Sequence, residues 1–352
     1  MTSRALLFAL VLAATPAPVH AAQSLPWTSE VLHQATDWYA SADARRIADS
    51  VVLHQSPEGG WPKNVSLATP PGPQGVDPAA MNTFDNNAVA LPMAFLARVV
   101  LATGDDRYRA AFERGLDYTV AAQYPNGGWP QYFPLKGGYH DHITFNDDAM
   151  VRTLRILRDV AGGGAPYAFV DQARRVRAAD AVAKGVDLIL RTQVRQNGEL
   201  TAWCAQYDAE LKPAWARRFE PPSLSGSESV GVVGLLMSLD APSPEVIAAI
   251  EGAVAWFRGS AIVGARIETF TGAGGRRDRR LVRVSGAGPI WARFYELDTN
   301  RPIFLGRDSV VRYDVAEIEH ERRNGYSYYG TWPADLLAVD YPAWKAAHAP
   351  AS

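Results

Sequence analysis

The sequence predicts a mainly α-helical fold, an incomplete α/α toroid in which helical hairpins repeat around an axis. Two observations lead to this prediction. Apolar residues recur at helical spacing in several stretches, and three of these stretches end in a glutamine that precedes a loop with glycine and tryptophan. The glutamines Gln55, Gln123 and Gln193 lie 68 and 70 residues apart. A period near 70 residues accommodates two helices and two loops.

Apolar spacing also positions the individual helices. Gly104 is typical of a helix C-terminus, and Ser243 followed by Pro244 is typical of a helix N-terminus. The helices predicted from these signals are residues 88–103, 107–123, 149–160, 230–239 and 246–257.

One region departs from the helical pattern. Residues 262–270 and 280–284 alternate apolar and polar side chains on either side of a glycine-rich turn, which predicts a small β-hairpin. In a toroid of antiparallel helix pairs the connections gather on one face. We therefore expect the long loops to form a groove.

Composition narrows the class of protein. The chain is 47% hydrophobic and 20% charged, with a formal net charge of -2, so no overall field favours nucleic acid or a membrane as a partner. We expect neither partner, and we expect a monomer. The single cysteine, Cys204, excludes an intrachain disulfide.

Residues 1–21 have the pattern of a signal peptide. Arg4 precedes a short apolar core, and small residues form a cleavage site before Ala22. We therefore expect a secreted or periplasmic protein with a single catalytic domain, residues 22–352. No later segment is expected to span a membrane.

Two similar polar clusters precede predicted helices, Thr83-Phe84-Asp85-Asn86-Asn87 and Thr144-Phe145-Asn146-Asp147-Asp148. Their carboxylates and amides are hard oxygen ligands of the kind that calcium prefers. The protein alone would form an incomplete calcium site, which a substrate carboxylate could complete. Helix N-capping is the alternative interpretation, because Asp and Asn often bind the free amides of a first helical turn.

Arginines cluster with aromatic residues in two other segments. Arg217 and Arg218 adjoin Phe219 and Glu220, and residues 291–308 place Arg293 and Arg307 among several rings. Such clusters suit a polymer of acidic sugars, because guanidinium groups pair with carboxylates in a planar, bidentate manner. A salt bridge to Glu220 and simple surface solvation remain the alternatives.

These segments carry a family resemblance. Residues 124–134, 143–150, 216–231, 291–308 and 318–326 together resemble the family 10 polysaccharide lyases, a group of pectate lyases, over nearly the whole mature chain. The resemblance implies the toroid fold. It also implies calcium-dependent β-elimination of α-1,4-linked polygalacturonate, with 4,5-unsaturated oligogalacturonates as products.

The resemblance also implies residue roles. Asp85 and Asp147, with Asn86, would surround calcium, although the motif does not decide between Asp147 and the adjacent Asp148. Arg217 would abstract the proton, with Arg218 at the variable neighbouring position. Such a base needs neighbours that lower the pKa of its guanidinium, which is normally above about 12.

Substrate contacts are expected from five further residues. The resemblance assigns substrate carboxylates to Arg293 and Arg307. Lys63 and Asn64 follow a tryptophan loop and would contact uronate groups. Trp129 would stack on a sugar face or, equally, pack in the core, and the same alternatives apply to Trp61.

Other functions remain open from the sequence. A glycoside hydrolase on the same fold would use Asp85 and Asp147 as acid and base, and a non-catalytic uronate-binding protein would use the same polar groups. A terpene cyclase is disfavoured by the arginine and aspartate clusters. The sequence contains no nucleophile elbow, zinc-protease motif or phosphate-binding loop.

Overall fold

The structure is a computed structural model that describes residues 25–348. The predicted signal peptide, residues 1–21, lies outside the described residues. In the described part the α-helices are α1 Ala42–Leu53, α2 Ala90–Thr103, α3 Asp106–Ala121, α4 Ala149–Gly162, α5 Gln172–Thr192, α6 Glu228–Met237, α7 Pro244–Ser260, α8 His320–Gly325 and α9 Tyr341–Ala347.

The strands are short and pair antiparallel in twos. They are β1 Ile143–Thr144, β2 Arg195–Gln196, β3 Glu199–Leu200, β4 Gln206–Tyr207, β5 Leu224–Ser225, β6 Ala265–Thr271, β7 Arg277–Arg283, β8 Trp291–Ala292, β9 Phe294–Tyr295, β10 Phe304–Leu305, β11 Val311–Arg312 and β12 Tyr329–Gly330. The longest pair, β6 and β7, is the predicted hairpin, in register from Ala265 opposite Arg283 to Thr271 opposite Arg277.

The helices α1 to α7 form two layers. Helices α2, α4 and α6 are neighbours in one row, and α1, α3, α5 and α7 are neighbours in another, while α2–α3, α4–α5 and α6–α7 are packed pairs. Helix α2 is buried on nearly every side, as expected of an inner helix. This arrangement confirms the predicted incomplete α/α toroid of helical hairpins.

The repeated glutamine joins neighbouring hairpins. The side-chain amide of Gln123 donates to the carbonyl of Gly127 in its own loop, at 3.0 Å, and to that of Ala181 on α5, at 2.9 Å. Gln55 and Gln193 each donate in the same way to their own loop and to the following outer helix. The sequence period therefore reflects a repeated contact between outer helices.

The glycine in these loops is required by close packing. Gly127 has φ +100°, and a Cβ placed there would lie 2.2 Å from the carbonyl oxygen of Lys184 on α5. Gly59 occupies the same position in the preceding repeat, against Arg114 of α3. No side chain fits at either position.

The tryptophan of each repeat secures the loop to the helix before it. The indole nitrogens of Trp61, Trp129 and Trp203 donate to backbone carbonyls of α1, α3 and α5. A fourth tryptophan, Trp291, does the same to Phe257 of α7, at 2.8 Å. The β6–β7 hairpin is thus an insertion in the fourth connection, between α7 and Trp291.

One helical stretch is more apolar than the sequence analysis recognised. The stretch Asp85–Thr103 is long and apolar enough to cross a membrane by length and composition alone. Within the fold its apolar side chains, including Met93 and Phe95, are buried against neighbouring helices. Its apolar character is explained by its position as an inner helix.

Candidate active site

Backbone hydrogen bonds join the loops on one face of the toroid, each loop to the loop of the next repeat. Phe84 in the first repeat donates to Gln131 in the second, and Phe145 in the second donates to Ala205 in the third. In the third repeat, Gly226 donates to Arg293 in the fourth, beside the pairing of β5 with β9. We call this series of bonds the loop ladder. It brings side chains from all four repeats together.

The two predicted polar clusters occupy adjacent short turns, Asp85–Asn87 and Asn146–Asp148. Asn86, Asn87, Asp147 and Asp148 all have the left-handed backbone conformation, with φ between 49° and 62°. No side chain of either cluster caps the helix that follows. The capping interpretation is therefore wrong for α2 and α4. The left-handed backbone of these four residues marks the two turns as candidates for a functional site.

Asp85 is the centre of a hydrogen-bonded group. Its Oδ2 accepts from Lys63 Nζ at 2.5 Å and from the amide nitrogen of Gln131 at 2.9 Å, while Oδ1 accepts from the backbone of Asn86. Burial, the largest single effect, would lower the pKa of Lys63, but the hydrogen bonds and charges of Asp85 and Tyr132 together outweigh it and raise the pKa. Lys63 is therefore a positive charge fixed beside Asp85.

Asn64 and His140 complete this group. The side-chain oxygen of Asn64 accepts from the amide of Asn86 at 2.8 Å. Because Gln131 donates its amide nitrogen to Asp85, its oxygen accepts from Nδ1 of His140, at 2.5 Å. Burial and the positive charges of Lys63 and Lys136 lower the pKa of His140.

Asp147 lies where negative charges converge. Burial raises the pKa of its carboxyl group, and the nearby carboxylates of Glu228 and Asp85 raise it further. Arg293 and Arg217 oppose this effect. The structure thus brings Asp85, Asp147, Arg217 and Arg293 to one face, as the expected chemistry requires.

Arg217 and Arg293 belong to one network. Arg217 donates to Glu220 through Nε, at 2.8 Å, and through Nη2. Tyr326 donates to the same carboxylate and accepts from Arg293 Nη1, both at 2.9 Å. Arg293 also forms a buried ion pair with Glu228 at 3.3 Å.

This network changes the expected state of Arg217. Its hydrogen bonds to Glu220 raise the pKa of the guanidinium, and burial opposes them only in part. The expectation that the surroundings lower this pKa is therefore wrong for the structure described here. Burial would raise the pKa of Glu220, but the bonds from Arg217 and Tyr326 hold it below its usual value.

The remaining predicted arginine lies on the same side of the molecule. Arg307 is exposed, pairs with Glu321 at 3.0 Å, and lies 5.9 Å from the ring centre of Phe219. Arg218 is exposed and forms no ion pair with a described residue. The ion pair with Glu220 thus distinguishes Arg217 from the adjacent Arg218.

Trp129 does not line the groove. Its side chain is completely buried, with the indole nitrogen bound to Thr119, and Trp61 is buried in the same way. The prediction that Trp129 contacts substrate is therefore wrong, and its alternative, core packing, is correct. The exposed indole near the arginines is that of Trp215, which has 42% of its surface accessible.

The sequence analysis overlooked three residues of the site, Gln131, Glu228 and Tyr326. Glu228 was detectable, because it follows a serine- and glycine-rich turn and begins α6, much as the Asp85 and Asp147 turns precede α2 and α4. Gln131 and Tyr326 carried no comparable signal, since their roles depend on contacts with residues 46 and 106 positions away in the chain.

Comparisons with known proteins show which protein family the chain belongs to. A sequence model of the pectic acid lyase family matches residues 55–337. The chain belongs to this family and is a polysaccharide lyase. A search among curated proteins found no match.

Two solved structures agree with this assignment. The family 10 polysaccharide lyase from Cellvibrio cellulosa is 35% identical, with a TM-score of 0.75 over 88% of this chain and 95% of its own. An aspartate-to-alanine mutant of a family 10 lyase from that organism, in complex with trigalacturonic acid, is 36% identical, with a TM-score of 0.76 over 87% of this chain and 95% of its own.

Proposed function

We propose that this polysaccharide lyase cleaves α-1,4-linked polygalacturonate by β-elimination and releases 4,5-unsaturated oligogalacturonates. The convergence of Asp85, Asp147, Arg217 and Arg293 on one face carries the proposal, because it combines cation ligands with groups that bind uronates. A related lyase is known in complex with trigalacturonic acid, which is the same substrate class.

The chemistry explains why this combination is useful. The C5 proton of a galacturonate lies beside a carboxylate, so its removal places negative charge next to an existing one. Positive groups at the carboxylate stabilise the enolate-like state. The C4–O bond then breaks, its electron pair leaves with the oxygen, and a double bond forms between C4 and C5. Water is not a reactant.

Calcium is the cation that we propose for Asp85, Asn86 and Asp147. These residues offer two carboxylates and one amide, all hard oxygen donors, which fit part of the six to eight oxygens that calcium usually binds. The described residues contain no group of three or more His, Cys, Asp or Glu suited to a metal. When bound, calcium would supply positive charge to the uronate carboxylate.

The cation site also requires a rearrangement. Both carboxylate oxygens of Asp85 already accept hydrogen bonds, including the short one from Lys63. We propose that Lys63 transfers its hydrogen bond from Asp85 to a substrate carboxylate, and that Asn64 contacts the same sugar. The released Asp85 oxygen is then free to bind the cation.

We propose Arg217 as the base, with Arg293 and Arg307 holding substrate carboxylates. Arg217 lies near enough to Asp147 for its charge to act on that carboxylate, which supports a position close to the proposed cation site. It removes the C5 proton only after losing its own, so its pairing with Glu220 makes alkaline pH favourable. At Arg307, the substrate carboxylate would replace that of Glu321, which now pairs with the guanidinium.

Localisation and assembly are part of the same proposal. We propose that residues 1–21 direct export, so that the enzyme acts in the periplasm or outside the cell on a polymer that does not enter the cytoplasm. We propose that residues 22–352 act as one catalytic domain and as a monomer. Size-exclusion chromatography with light scattering tests the last point.

The test incubates purified protein with polygalacturonate, with calcium or with a chelator, and follows ultraviolet absorbance and reducing ends. We expect both signals with calcium and neither with chelator. Reducing ends without absorbance would indicate a glycoside hydrolase. Binding without new ends would indicate a uronate-binding protein. Either result would overturn the proposal.

A matched pair of variants tests the base. Arg217→Ala should lower kcat at least about a hundredfold, the scale expected of a general base, and retain binding of oligogalacturonate. Arg218→Ala removes the same charge from the adjacent exposed residue and should remain active. Full activity of the Arg217 variant would place the base elsewhere.

A further inference from the structure

The groove continues beyond Lys63 and Asn86 into a cavity of about 750 Å³. Its lining includes Asn87 of the first polar cluster, together with Trp27 and Arg152, which the sequence analysis did not single out. This volume lies within the range of about 300–1,000 Å³ that is usual for small-molecule sites. The cavity is therefore large enough for a sugar residue adjoining the proposed cleavage site.

We propose that this cavity is an additional uronate-binding position, in which Arg152 pairs with the carboxylate of a sugar outside the cleavage site. The inference rests on the proposed function, because it assumes a polyuronate chain in the groove. It assigns Arg152 to recognition of longer chains, with no part in the elimination itself.

Arg152 lies at the cavity, and its guanidinium has N–H donors that are not used in hydrogen bonds to the described residues. It lies in the first turn of α4, directly after the Asp147 turn, and 36% of its side chain is exposed. Its ion pair with Asp148 is long, at 3.7 Å, and its guanidinium forms no hydrogen bond to any of residues 25–348. A guanidinium has five N–H donors in a fork that matches a carboxylate, so its capacity for a ligand is unused.

The other lining groups suit a sugar. The Trp27 ring packs edge-to-face on Phe95, at 5.7 Å between centres, and remains partly exposed at the cavity. Asn87 lines the cavity, and its side-chain amide forms no hydrogen bond to any of residues 25–348, so its nitrogen remains a donor. An aromatic ring, an amide donor and a guanidinium together provide an apolar surface, a hydroxyl partner and a charge partner for one galacturonate.

The charge balance also favours an anion. Arg152 borders the cavity, and the one carboxylate that pairs with it among the described residues, that of Asp148, lies 3.7 Å from its guanidinium. A uronate in the cavity would meet donors on two sides. A neutral sugar would leave the Arg152 guanidinium with only its long ion pair to Asp148.

The experiment compares Arg152→Gln with Arg109→Gln. Arg109 lies on α3 and does not line the cavity, but it resembles Arg152 in exposure, 40%, and in having one long ion pair within its helix, at 3.8 Å. We expect Arg152→Gln to lower kcat/KM about fivefold on polygalacturonate, the scale of a partly exposed ion pair. Its kcat/KM on trigalacturonate should fall less, because a trimer can span the bond that breaks without filling the cavity.

The controls make the result decisive. Arg109→Gln should match the wild type on both substrates, and Arg152→Lys should recover part of the loss because it retains the charge. No change in Arg152→Gln would overturn the proposal. An equal loss on trimer and polymer would place Arg152 at the cleavage site and would also overturn it. Thermal unfolding of each variant checks that the fold is intact.

Failure of the proposed function is a separate result. A wild-type protein that produces no unsaturated ends would contradict the lyase proposal, whatever Arg152 does. Calorimetric titration with hexagalacturonate then tests the cavity directly. Weaker binding by Arg152→Gln alone would support the additional position, and equal binding by the wild type and both glutamine variants would overturn it.

Discussion

Arg217 and Glu220 present the main problem at the scale of single residues. A salt bridge between them was the alternative to a catalytic role in the sequence analysis, and the structure contains it. The two interpretations are compatible, because the same guanidinium can neutralise substrate charge when protonated and accept a proton when neutral. Glu220 determines the pH at which the neutral form of Arg217 becomes available.

The first prediction concerns that pH dependence. If Arg217 is the base, kcat/KM should rise about tenfold per pH unit while Arg217 is mostly protonated. Glu220 raises the pKa of Arg217, so Glu220→Gln should lower that pKa and shift the rising part of the profile to lower pH. Kinetics on polygalacturonate across the alkaline range measure the shift.

The control for this prediction is Glu321→Gln. That substitution removes one carboxylate paired with Arg307 and leaves the contacts of Arg217 intact. It should leave the pH profile in place. A profile that does not move in Glu220→Gln would show that Arg217 supplies charge but does not take the proton.

The second prediction separates core packing from sugar binding at Trp129. Trp129→Phe removes the hydrogen bond to Thr119 and leaves that buried carbonyl without its partner. The free energy of unfolding should fall by about 1–3 kcal/mol, with KM for polygalacturonate unchanged. Urea unfolding and steady-state kinetics measure the two quantities. Trp215→Phe, at an exposed indole, should leave the unfolding free energy nearly unchanged, and a raised KM in Trp129→Phe would contradict the structure.

At the scale of elements, the β6–β7 hairpin differs from everything around it. A backbone pairing between Ile262 and Ile290 closes the base of the hairpin. Near its tip, the side chain of Asp278 contacts the rest of the protein. Asp278 accepts from Arg323 through both oxygens, each at 2.7 Å, and from Asn324. The hairpin is thus an insertion held at its base, at the Asp278 side chain, and by a hydrogen bond of 2.8 Å from His320 Nε2 to the backbone carbonyl of Arg277.

The third prediction tests that side-chain anchor. The hydrogen bonds from Arg323 hold the pKa of Asp278 far below its usual value, despite some desolvation. A lowered carboxyl pKa stabilises the folded state above the unfolded-state pKa of about 3.9, and that stabilisation is lost as pH falls toward the folded-state pKa. Asp278→Asn should therefore reduce stability at pH 7, by about 1 kcal/mol, and progressively less below about pH 4.

Unfolding by urea at several pH values measures this difference. Glu268→Gln is the matched control, because Glu268 belongs to the same hairpin and pairs with the more exposed Arg280. Its effect should be smaller at every pH. An Asp278→Asn penalty that is equal at acid and neutral pH would show that the anchor does not depend on charge.

The helices show how far sequence reasoning extends at this scale. Helical spacing, Gly104 and the Ser243–Pro244 pair located the helices to within a few residues, because these signals are local. The glutamine repeat also predicted the fold, since it marks a contact made in every unit. The burial of Trp129 was not predictable, because the same loop position suits either a core ring or an exposed one.

For the whole molecule, the limit of sequence reasoning was the fourth unit. The first two tryptophans follow the helical carbonyls that they bind by 10 residues, whereas Trp291 follows Phe257 by 34 because the hairpin intervenes. Because of this insertion, the spacing along the sequence does not reveal the fourth repeat. Glu228 and Tyr326 were missed for a related reason, since their relation to Asp147 and Arg217 exists only after distant loops have paired.

The loop ladder has a consequence for how activity arises. The carboxylate turns belong to the first half of the chain, whereas Arg293 and Tyr326 belong to its last quarter. A molecule nicked or misassembled in the final connection would retain both acidic turns, Lys63 and Arg217, and would lose Arg293 and Tyr326 from the opposite side of the site. We therefore expect activity to require correct pairing of the last repeat, so that damage far from the acidic turns is sufficient to inactivate the enzyme.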